Sequence, residues 1–570
     1  MMKLLRLQNQ YLRLWRGLTL YEHQCLITLS EIADILCCTP RHARSLLLAM
    51  QKQNWLKWEA VAGRSKKSTL HLFLSGTEIK EQQAQKLLDE NKLEHAINLL
   101  GDKAHVQQLI FSQLGYRFRK GKAMLNILYY RKFRDLVPKA SHRRSEKHIL
   151  KQIFSGLVQF DELTQQITGD IAHSWQKISD YHWQFYLRSG VFFHHGRLLN
   201  AEDIIYSLKR FFVLETYQHI VDINSPAPLV IDILLNEVDT NLLALLSSVP
   251  ALIIPLDWEM LPDFAHHPIG TGPFKVESHT SNHLKIIAFD QYFGYRSLID
   301  EITIWVLPKL ANDSIYAGVY ISADMDVLSL NPIATMPIPL RHTAVEELIE
   351  RRLEDGCYFL LFDNRSSAMQ SITFKSWLCQ VLSSENILSK CAHYDHYWAI
   401  ANSLLPQWNH KTYCYGSDIQ QPNEIKKLTI TYYADQPEYA VIAEAIESIL
   451  SEFDISVTIK CVDYDIWQSG QDVTDIWLGS LSFNHPLSFS VFATLNELPL
   501  FKLATHSRFS CLTDWKAEVF SLEKWCEKLL AECDLHPLFH HWLYLYNQPG
   551  LQNTEINTLG WFDFKKAWYR

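Results

Sequence analysis

Arg41, His42, Arg44 and Ser45 lie close together on one short stretch and have the side chains that contact nucleic acid. An arginine can donate two hydrogen bonds to a guanine edge or grip a phosphate, while histidine and serine are more permissive readers of a base. A second basic set, Arg64, Lys66 and Lys67, sits in the polar run Gly63 to Ser68. At the tip of a turn such residues would hold phosphates or the minor groove, adding affinity rather than sequence choice. Far downstream, Ser480, Ser482, Asn484 and His485 follow the run Asp475 to Gly479 and offer hydrogen bonds to a polar, uncharged or anionic solute.

Other chemistry-bearing residues point to packing. Histidine pairs begin at His194, His266 and His540, and His393 and His396 flank a Tyr-Asp dipeptide, but none of these has the spacing of a dedicated metal site. The glycines of IGTGPF lack the Lys-Ser/Thr that completes a phosphate loop and read as a tight turn. No G-x-S-x-G is present, and the scattered serines, histidines and aspartates cannot be assembled into a nucleophilic triad without geometry. No catalytic residue, metal or cofactor is expected.

The elements that must position the first set are legible. Thr28 and Glu31 have capping-box spacing ahead of a short helix carrying Ile32, Ala33, Ile35 and Leu36. It stops near Cys37 and Cys38, and Thr39 with Pro40 then opens a second helix. Ala43, Leu46, Leu47 and Met50 would face inward, leaving Arg41, His42, Arg44, Ser45 and Lys52 outside. Two short helices across a tight turn, the second basic near its start, form a helix-turn-helix whose second helix enters the major groove. Trp55 to Trp58 and Thr69 to Leu74 alternate as strands around the basic turn, which predicts a winged hairpin. Glu78 to Leu100 reads as a surface or dimerising helix, and Phe111 to Lys122 as a basic connector. Asp135 to Arg144, with Pro138, reads as the passage into the rest of the chain.

Charge agrees with a division. The net charge of -8 over 570 residues conceals 26 Lys and Arg against 12 Asp and Glu in residues 1 to 150, a balance of +14, and -22 in the remainder. A basic head suits a polyanion, and an acidic body stays off one. After Met1 come Lys3, Arg6, Arg13 and Arg16, with no apolar export signal and no run long enough to span a membrane. A cytoplasmic protein without a membrane partner is expected. Its 11 cysteines are odd in number, with no C-x-x-C pair, and suit reduced thiols rather than a disulfide framework.

In the body, Trp183, Phe185 and Leu187 alternate as a strand, and Asn200 to Asp203 caps a helix. Leu428 to Tyr433, Glu438 to Phe453 and Ile455 to Cys461 read as strand, helix and strand, the mark of an α/β lobe. Three runs, HILKQIFSGLVQFDE, GDIAHSW and WQFYLRSGVFFHHGRLLNAEDIIYSLKR, carry a resemblance. With IGTGPFKVES and DQYFGYRSLIDEITIWVL, they resemble the signatures of family 5 extracellular solute-binding proteins. A winged helix ahead of such a body resembles the SgrR-type transcriptional regulators. The resemblance implies an α/β architecture: a winged helix-turn-helix over 1–110, the connector over 111–140, and a two-lobed, type II periplasmic-binding-protein-like body over 141–570. It also implies promoter DNA at Pro40 to Lys52 and Gly63 to Ser68, a small solute in the cleft, and RNA polymerase as a further possible partner. Sugar-phosphate stress is the family theme, but paralogues need not share a ligand, so sugar or sugar phosphate is an expectation only. Family 5 peptide binders hold the peptide amine with an aspartate after a late strand. Here that stretch reads SLSFNHP, without an acid, which argues against a free peptide.

The leading expectation is therefore a one-component regulator in which solute binding changes what the head does on DNA. A solute-binding protein of transport or storage, its head contacting a protein, is the alternative. A hydrolase on a two-lobed scaffold is a third.

Overall fold

Capping and apolar spacing build the head as local rules dictate. The Thr28 hydroxyl accepts from the Glu31 amide at 3.2 Å, and the Glu31 carboxylate accepts from the Thr28 amide at 2.7 Å, closing the capping box. The computed structural model describes every residue except 1, 19–23, 62–65, 90–92, 101–114, 120, 130, 140–141, 307–348, 392–397, 410–424, 435, 437, 506–514, 517–520 and 547–549. The chain divides into two compact units, Met1–Leu114 and Gly115–Arg570.

The first unit runs α1 (Met2–Gly17), β1 (Gln24–Ile27), α2 (Leu29–Ile35), α3 (Pro40–Lys52), β2 (Leu56–Glu59), β3 (Ser68–Leu72), α4 (Gly76–Asp89) and α5 (Leu93–Leu100). The strands form an antiparallel sheet in the order β1-β3-β2. Ile32, Ala43, Leu47, Met50, Leu56 and Leu70 close one core beneath it. The Tyr11 hydroxyl donates to the Leu74 carbonyl at 2.7 Å, so α1 fastens the end of the winged hairpin. Burial pushes the Tyr11 pKa up to about 12. The single surface helix expected over 78–100 is instead two helices. Ile79, Gln83 and Ala84 are buried, and Gln83 donates to Asn9 of α1 at 3.1 Å, so α4 belongs to the core of the head.

The expected connector is corrected. β4 (Gly115–Arg119) and β5 (Lys122–Tyr129) are strands of the second unit, and β5 is an interior strand of its sheet. Ala123, Leu125, Ile127 and Tyr129 alternate inward and are buried. The clustered Arg117, Arg119 and Lys122 masked that two-residue period. Nor is Asp135 to Arg144 the passage from the head, since the Leu136 amide donates to Ala265 at 2.8 Å inside the body. Charge follows the corrected boundary. Residues 1–114 hold 15 Lys and Arg against 10 Asp and Glu, a balance of +5, and residues 115–570 hold 39 against 52, or -13.

The body then runs β6 (Val158–Asp161), β7 (Gln166–Gly169), β8 (Ala172–Ser179), β9 (His182–Leu187), β10 (Ile220–Ala227), β11 (Val230–Leu235), β12 (Phe274–His279), β13 (His283–Ala288) and β14 (Glu301–Val306). These give a five-stranded sheet, β12-β13-β14-β5-β4, with β14 parallel to β5, and a four-stranded sheet, β10-β11-β9-β8. After them come β15 (Ile349–Leu353), β16 (Gly356–Phe362), β17 (Trp398–Ile400), β18 (Lys427–Tyr433), β19 (Ser456–Val462), β20 (Ile476–Ser482) and β21 (Leu535–Tyr546). Among the described residues they form one mixed sheet, β15-β21-β16-β20-β18-β19, with β17 on β21. β18, the helix Glu438–Ser451 and β19 make the expected βαβ unit, with β18 and β19 parallel. The Asn200 side chain caps the helix Ala201–Lys209 in a capping box with Asp203. No described helix is long and apolar enough to cross a membrane.

Candidate nucleic-acid interface and ligand cleft

On the head, the Thr39 hydroxyl caps α3 by accepting from the His42 amide at 3.3 Å, and Pro40 takes the first helical position. Ala43, Leu47 and Met50 are buried, and Leu46 is half-buried. Arg41, His42, Arg44 and Ser45 are exposed along the opposite face. The Ser45 hydroxyl donates to the Arg41 carbonyl at 3.2 Å, which leaves its lone pairs rather than its proton for a partner. Gln51 accepts from the Trp58 amide at 3.1 Å and ties the end of α3 to the wing. Lys66 and Lys67 are exposed between β2 and β3, while Arg64 lies outside the described residues. Arg13 and Arg16 on α1 are exposed as well, and α1 contains no acidic residue.

In the body, a cleft of about 150 Å³ opens between the helix Arg144–Ile153 with Ser248 to Pro250 on one side and β18, β20 and the helix Leu487–Glu497 on the other. Ser480, Ser482 and Asn484 line it, and His485 does not. His485 is instead held by Asp355 and Gln165, each at 3.2 Å, because the chain turns away after Asn484. All three lining residues have a hydrogen bond within the protein, Asn484 only a long one of 3.4 Å to the His485 carbonyl. Ser480 shares a 2.7 Å hydrogen bond with Tyr439, and Ser482 donates to Glu354 at 2.5 Å. An acid thus reaches the place where the local sequence has none, but Arg144 neutralises Glu354 at 2.7 Å.

Cations dominate the facing wall. Arg131, Arg143, Arg144 and Lys147 line the cleft, with Tyr433, Tyr464 and Trp467 opposite. Arg143 and Arg131 lie 3.1 and 3.7 Å from the buried Glu146. Burial alone would raise the Glu146 pKa, but the two guanidinium groups outweigh it and hold it near 2. Lys147 differs: its ammonium makes no hydrogen bond or ion pair with any described residue. Burial pushes its pKa down to about 8, helped by Lys151 and opposed by Glu497. Glu497 is itself raised by burial to about 7 despite a hydrogen bond from Thr216. The Ser490 hydroxyl, also on the wall, is buried without a partner. The cleft therefore offers one uncommitted positive charge, one uncommitted hydroxyl and an aromatic face.

The sequence reading missed these cations because Arg131 fell in the stretch taken for the connector, while Arg143, Arg144 and Lys147 were counted only in the charge of the first 150 residues. Their excess charge was a visible signal, and Arg144 and Lys147 sit three apart, on one face of a helix. The histidine pairs are held within the fold or on its surface, His266 and His267 both bonding Asp263 at 2.7 and 2.9 Å on an exposed turn. His194 accepts from the Gly270 amide at 3.2 Å and reaches the Gly272 carbonyl at 3.1 Å, and His540 bonds the Gly356 carbonyl at 2.6 Å. His393 and His396 lie outside the described residues. Among the described residues no group of His, Cys, Asp and Glu is placed to hold a metal ion.

A helix-turn-helix with a wing, joined to a two-lobed α/β body with a cleft, defines a transcription regulator carrying a solute-binding-protein-like domain. The family comparisons divide the same way. Residues 6–121 match the family described as "Sugar transport-related sRNA regulator N-term", and residues 166–376 match the middle region of bacterial extracellular solute-binding proteins, family 5. The chain is 42% identical over 566 residues to the HTH-type transcriptional regulator SgrR of Yersinia enterocolitica, covering 99% of this chain and 98% of that one. It is 42% identical over 579 residues to the regulator of the same name from Escherichia coli K12, with the same coverages. The chain belongs to the SgrR family of transcriptional regulators. Its fold matches that of DppA from Helicobacter pylori in complex with the peptide STSA, with TM-score 0.63, 16% identity, and 78% of this chain and 98% of that one covered. It also matches NikA from Brucella suis in complex with Fe(III)-EDTA, with TM-score 0.61, 15% identity, and 78% and 100% covered. Both solved chains are type II periplasmic-binding-protein-like, and both share this body's architecture.

Proposed function

We propose that the head binds promoter DNA with the start of α3 in the major groove, and that the body closes on a small anionic, hydroxyl-bearing solute, in the class of a sugar or sugar phosphate. The observation that carries the ligand half is the uncommitted ammonium of Lys147 in a cleft whose other cations are paired. An anion there supplies the missing partner, and hydroxyls can meet Ser490 and Asn484. The arginines and wing lysines support the DNA half, as does the relationship to proteins named as HTH-type regulators. Closure of the lobes changes promoter occupancy or a contact with RNA polymerase by stabilising one arrangement over another. The protein works in the cytoplasm, where DNA is.

The test uses the full chain and DNA selected from genomic fragments, read by fluorescence anisotropy over a series of salt concentrations. Arg41→Ala and Arg44→Ala should each cost about 10- to 100-fold in affinity for the selected site and little for random DNA, as expected for base contacts worth about 1–3 kcal/mol. Replacing Lys66 and Lys67 together by Ala should weaken both DNAs alike and reduce the salt slope by about 2. Equal, purely salt-sensitive binding by the wild type and both arginine variants would refute the assignment of α3.

A further inference from the structure

The larger of the two principal cavities is not the cleft. A space of about 480 Å³ lies in the first lobe between the helix Arg144–Ile153, the β6–β7 hairpin and the C-terminal residues 553–566, and it shares no lining residue with the cleft. His148, Lys151 and Gln152 reach it from one helical face, at spacings of three and four residues.

The hydrogen bonds around His148 fix where its proton sits. Asn557 Oδ1 accepts from the amides of Leu559 and Trp561, at 3.0 and 2.9 Å, so the amide orientation of Asn557 is set. Its Nδ2 must then donate to His148 Nδ1, 3.3 Å away. His148 is 1% exposed and stacks on Trp561. Burial keeps it neutral by lowering its pKa to about 3, so its one proton is on Nε2. That Nε2–H is buried with no hydrogen-bond partner, and so is Oε1 of Gln152, which is 6% exposed. Lys151, one turn away, has no hydrogen bond or ion pair with a described residue. Across the cavity Lys565 rests on the rings of Tyr292 and Tyr295, 5.7 and 5.1 Å from their centroids, also without an ion pair.

Carboxylates share this wall, and most are engaged. Asp161 is 3.9 Å from Lys566, and Glu162 accepts from the amide and hydroxyl of Thr558 at 2.8 and 2.7 Å. Asp563 accepts from the Lys565 amide at 3.0 Å, and Asp170 from the Gly156 amide at 2.9 Å. Arg352 is paired to Asp355 at 2.7 Å. Hydrogen bonds from neutral donors leave these carboxylates their charge, so the cavity mixes both signs. Its groups without a direct hydrogen-bond or ion-pair partner among the described residues are the Lys151 and Lys565 ammonium groups, the His148 Nε2–H and the Glu555 carboxylate.

We infer that this cavity is a second ligand site, for a small organic oxyanion whose carboxylate or phosphoryl oxygens accept from His148 Nε2–H and the Lys151 ammonium while its body lies against Tyr292 and Tyr295. An oxyanion satisfies a buried donor and an unpaired cation together, which an apolar guest leaves unmet. Gln152 adds a polar contact for a hydroxyl or, with its amide turned, for the anion itself. The body then holds two small molecules, one in the cleft and one in its first lobe.

Isothermal titration of the full chain with citrate and with inorganic phosphate separates a carboxylate from a phosphoryl preference. It is run on the wild type, Lys147→Met and Lys151→Met. The expected result is a binding event kept in Lys147→Met and weakened at least tenfold in Lys151→Met, with Lys565→Met weakening it similarly should Lys151→Met fail to fold. The inference is overturned if neither probe binds the wild type, if every binding event disappears with Lys147→Met, or if binding is unaffected by Lys151→Met and Lys565→Met. Failure of the cleft assignment reads differently: Lys147→Met then changes nothing.

Discussion

Lys147 carries the cost of waiting for a partner. Its ordinary pKa of 10.5 falls to about 8 in the fold, so the unfolded chain binds the proton more tightly across that window. The penalty is full below about pH 8 and is relieved as pH rises through 8 toward 10.5. Because Lys147 is half-buried and partly reached by solvent, the cost is discounted to about 1–2 kcal/mol. Lys147→Met should therefore raise the stability of the unliganded protein by that amount at pH 7, with the advantage fading above pH 8, while abolishing stabilisation by an anion in the cleft. Urea unfolding at pH 7 and pH 10 checks the first half, and a phosphate-dependent gain in stability that is smaller in Lys147→Met than in the wild type checks the second; a variant less stable than the wild type at pH 7 would remove the argument. The cleft was only partly legible at this scale. Ser480, Ser482 and Asn484 announced themselves as a polar run, whereas Arg131, Arg143, Arg144 and Lys147 meet them across more than 300 residues of chain. Side chains that function through a fold leave no local pattern, while α3 was readable because its cap, buried face and exposed arginines all fall within one helix.

At the level of elements, the glycines of IGTGPF show what a motif without a phosphate does. A Cβ on Gly270 would stand 2.2 Å from the Ile153 carbonyl oxygen, and one on Gly272 would stand 2.7 Å from it. The Gly272 amide donates to that same oxygen at 2.8 Å, so the turn closes the end of the helix that carries Arg144, Lys147 and Lys151. Gly270→Ala should destabilise the body by about 3 kcal/mol through overpacking against backbone and should weaken cleft binding by displacing that helix. Asn200→Ala, which removes only a cap, should cost about 1 kcal/mol and leave binding unchanged. Chemical denaturation midpoints separate the two; equal small losses would show that the turn yields more easily than its contacts imply. Sequence periodicity placed β9, β18 and β19 and the helix between the last two, because each alternation is local. It missed β4 and β5, where the run of cations Arg117, Arg119 and Lys122 outweighed the alternating Ala123, Leu125, Ile127 and Tyr129 that are buried.

Across the whole molecule, the boundary at Leu114 reduces the head to +5 and the body to -13, so DNA affinity rests on where the basic residues of the head are placed more than on how many there are. The body's response to pH is set by groups buried in the wrong charge state for water. Burial lowers His148 and His194 to about 3, and His279, His536 and His541 to about 4. Each has an ordinary value of 6.5, so the unfolded chain takes up these protons first. The stability tied to them is present above pH 6.5 and is lost as pH falls toward 3–4. Burial acts oppositely on Asp170, raised to about 6, and on Glu438 and Glu497, raised to about 7. Those carboxyls favour the fold at low pH, a contribution lost as pH rises through 6–7. Near pH 5 these imidazoles, with His142, His283 and His540 shifted in the same direction by burial, gain protons on unfolding while the three carboxyls lose them, so the balance is a net uptake of protons. Below pH 4.5, Glu146, held near 2 against an ordinary 4.5, adds to the loss. Stability of the body, measured by thermal unfolding between pH 7.5 and 4.5, should fall steeply below pH 6 with net proton uptake. A flat profile, or proton release on unfolding at pH 5, would mean that the carboxyls rather than the buried imidazoles govern the balance.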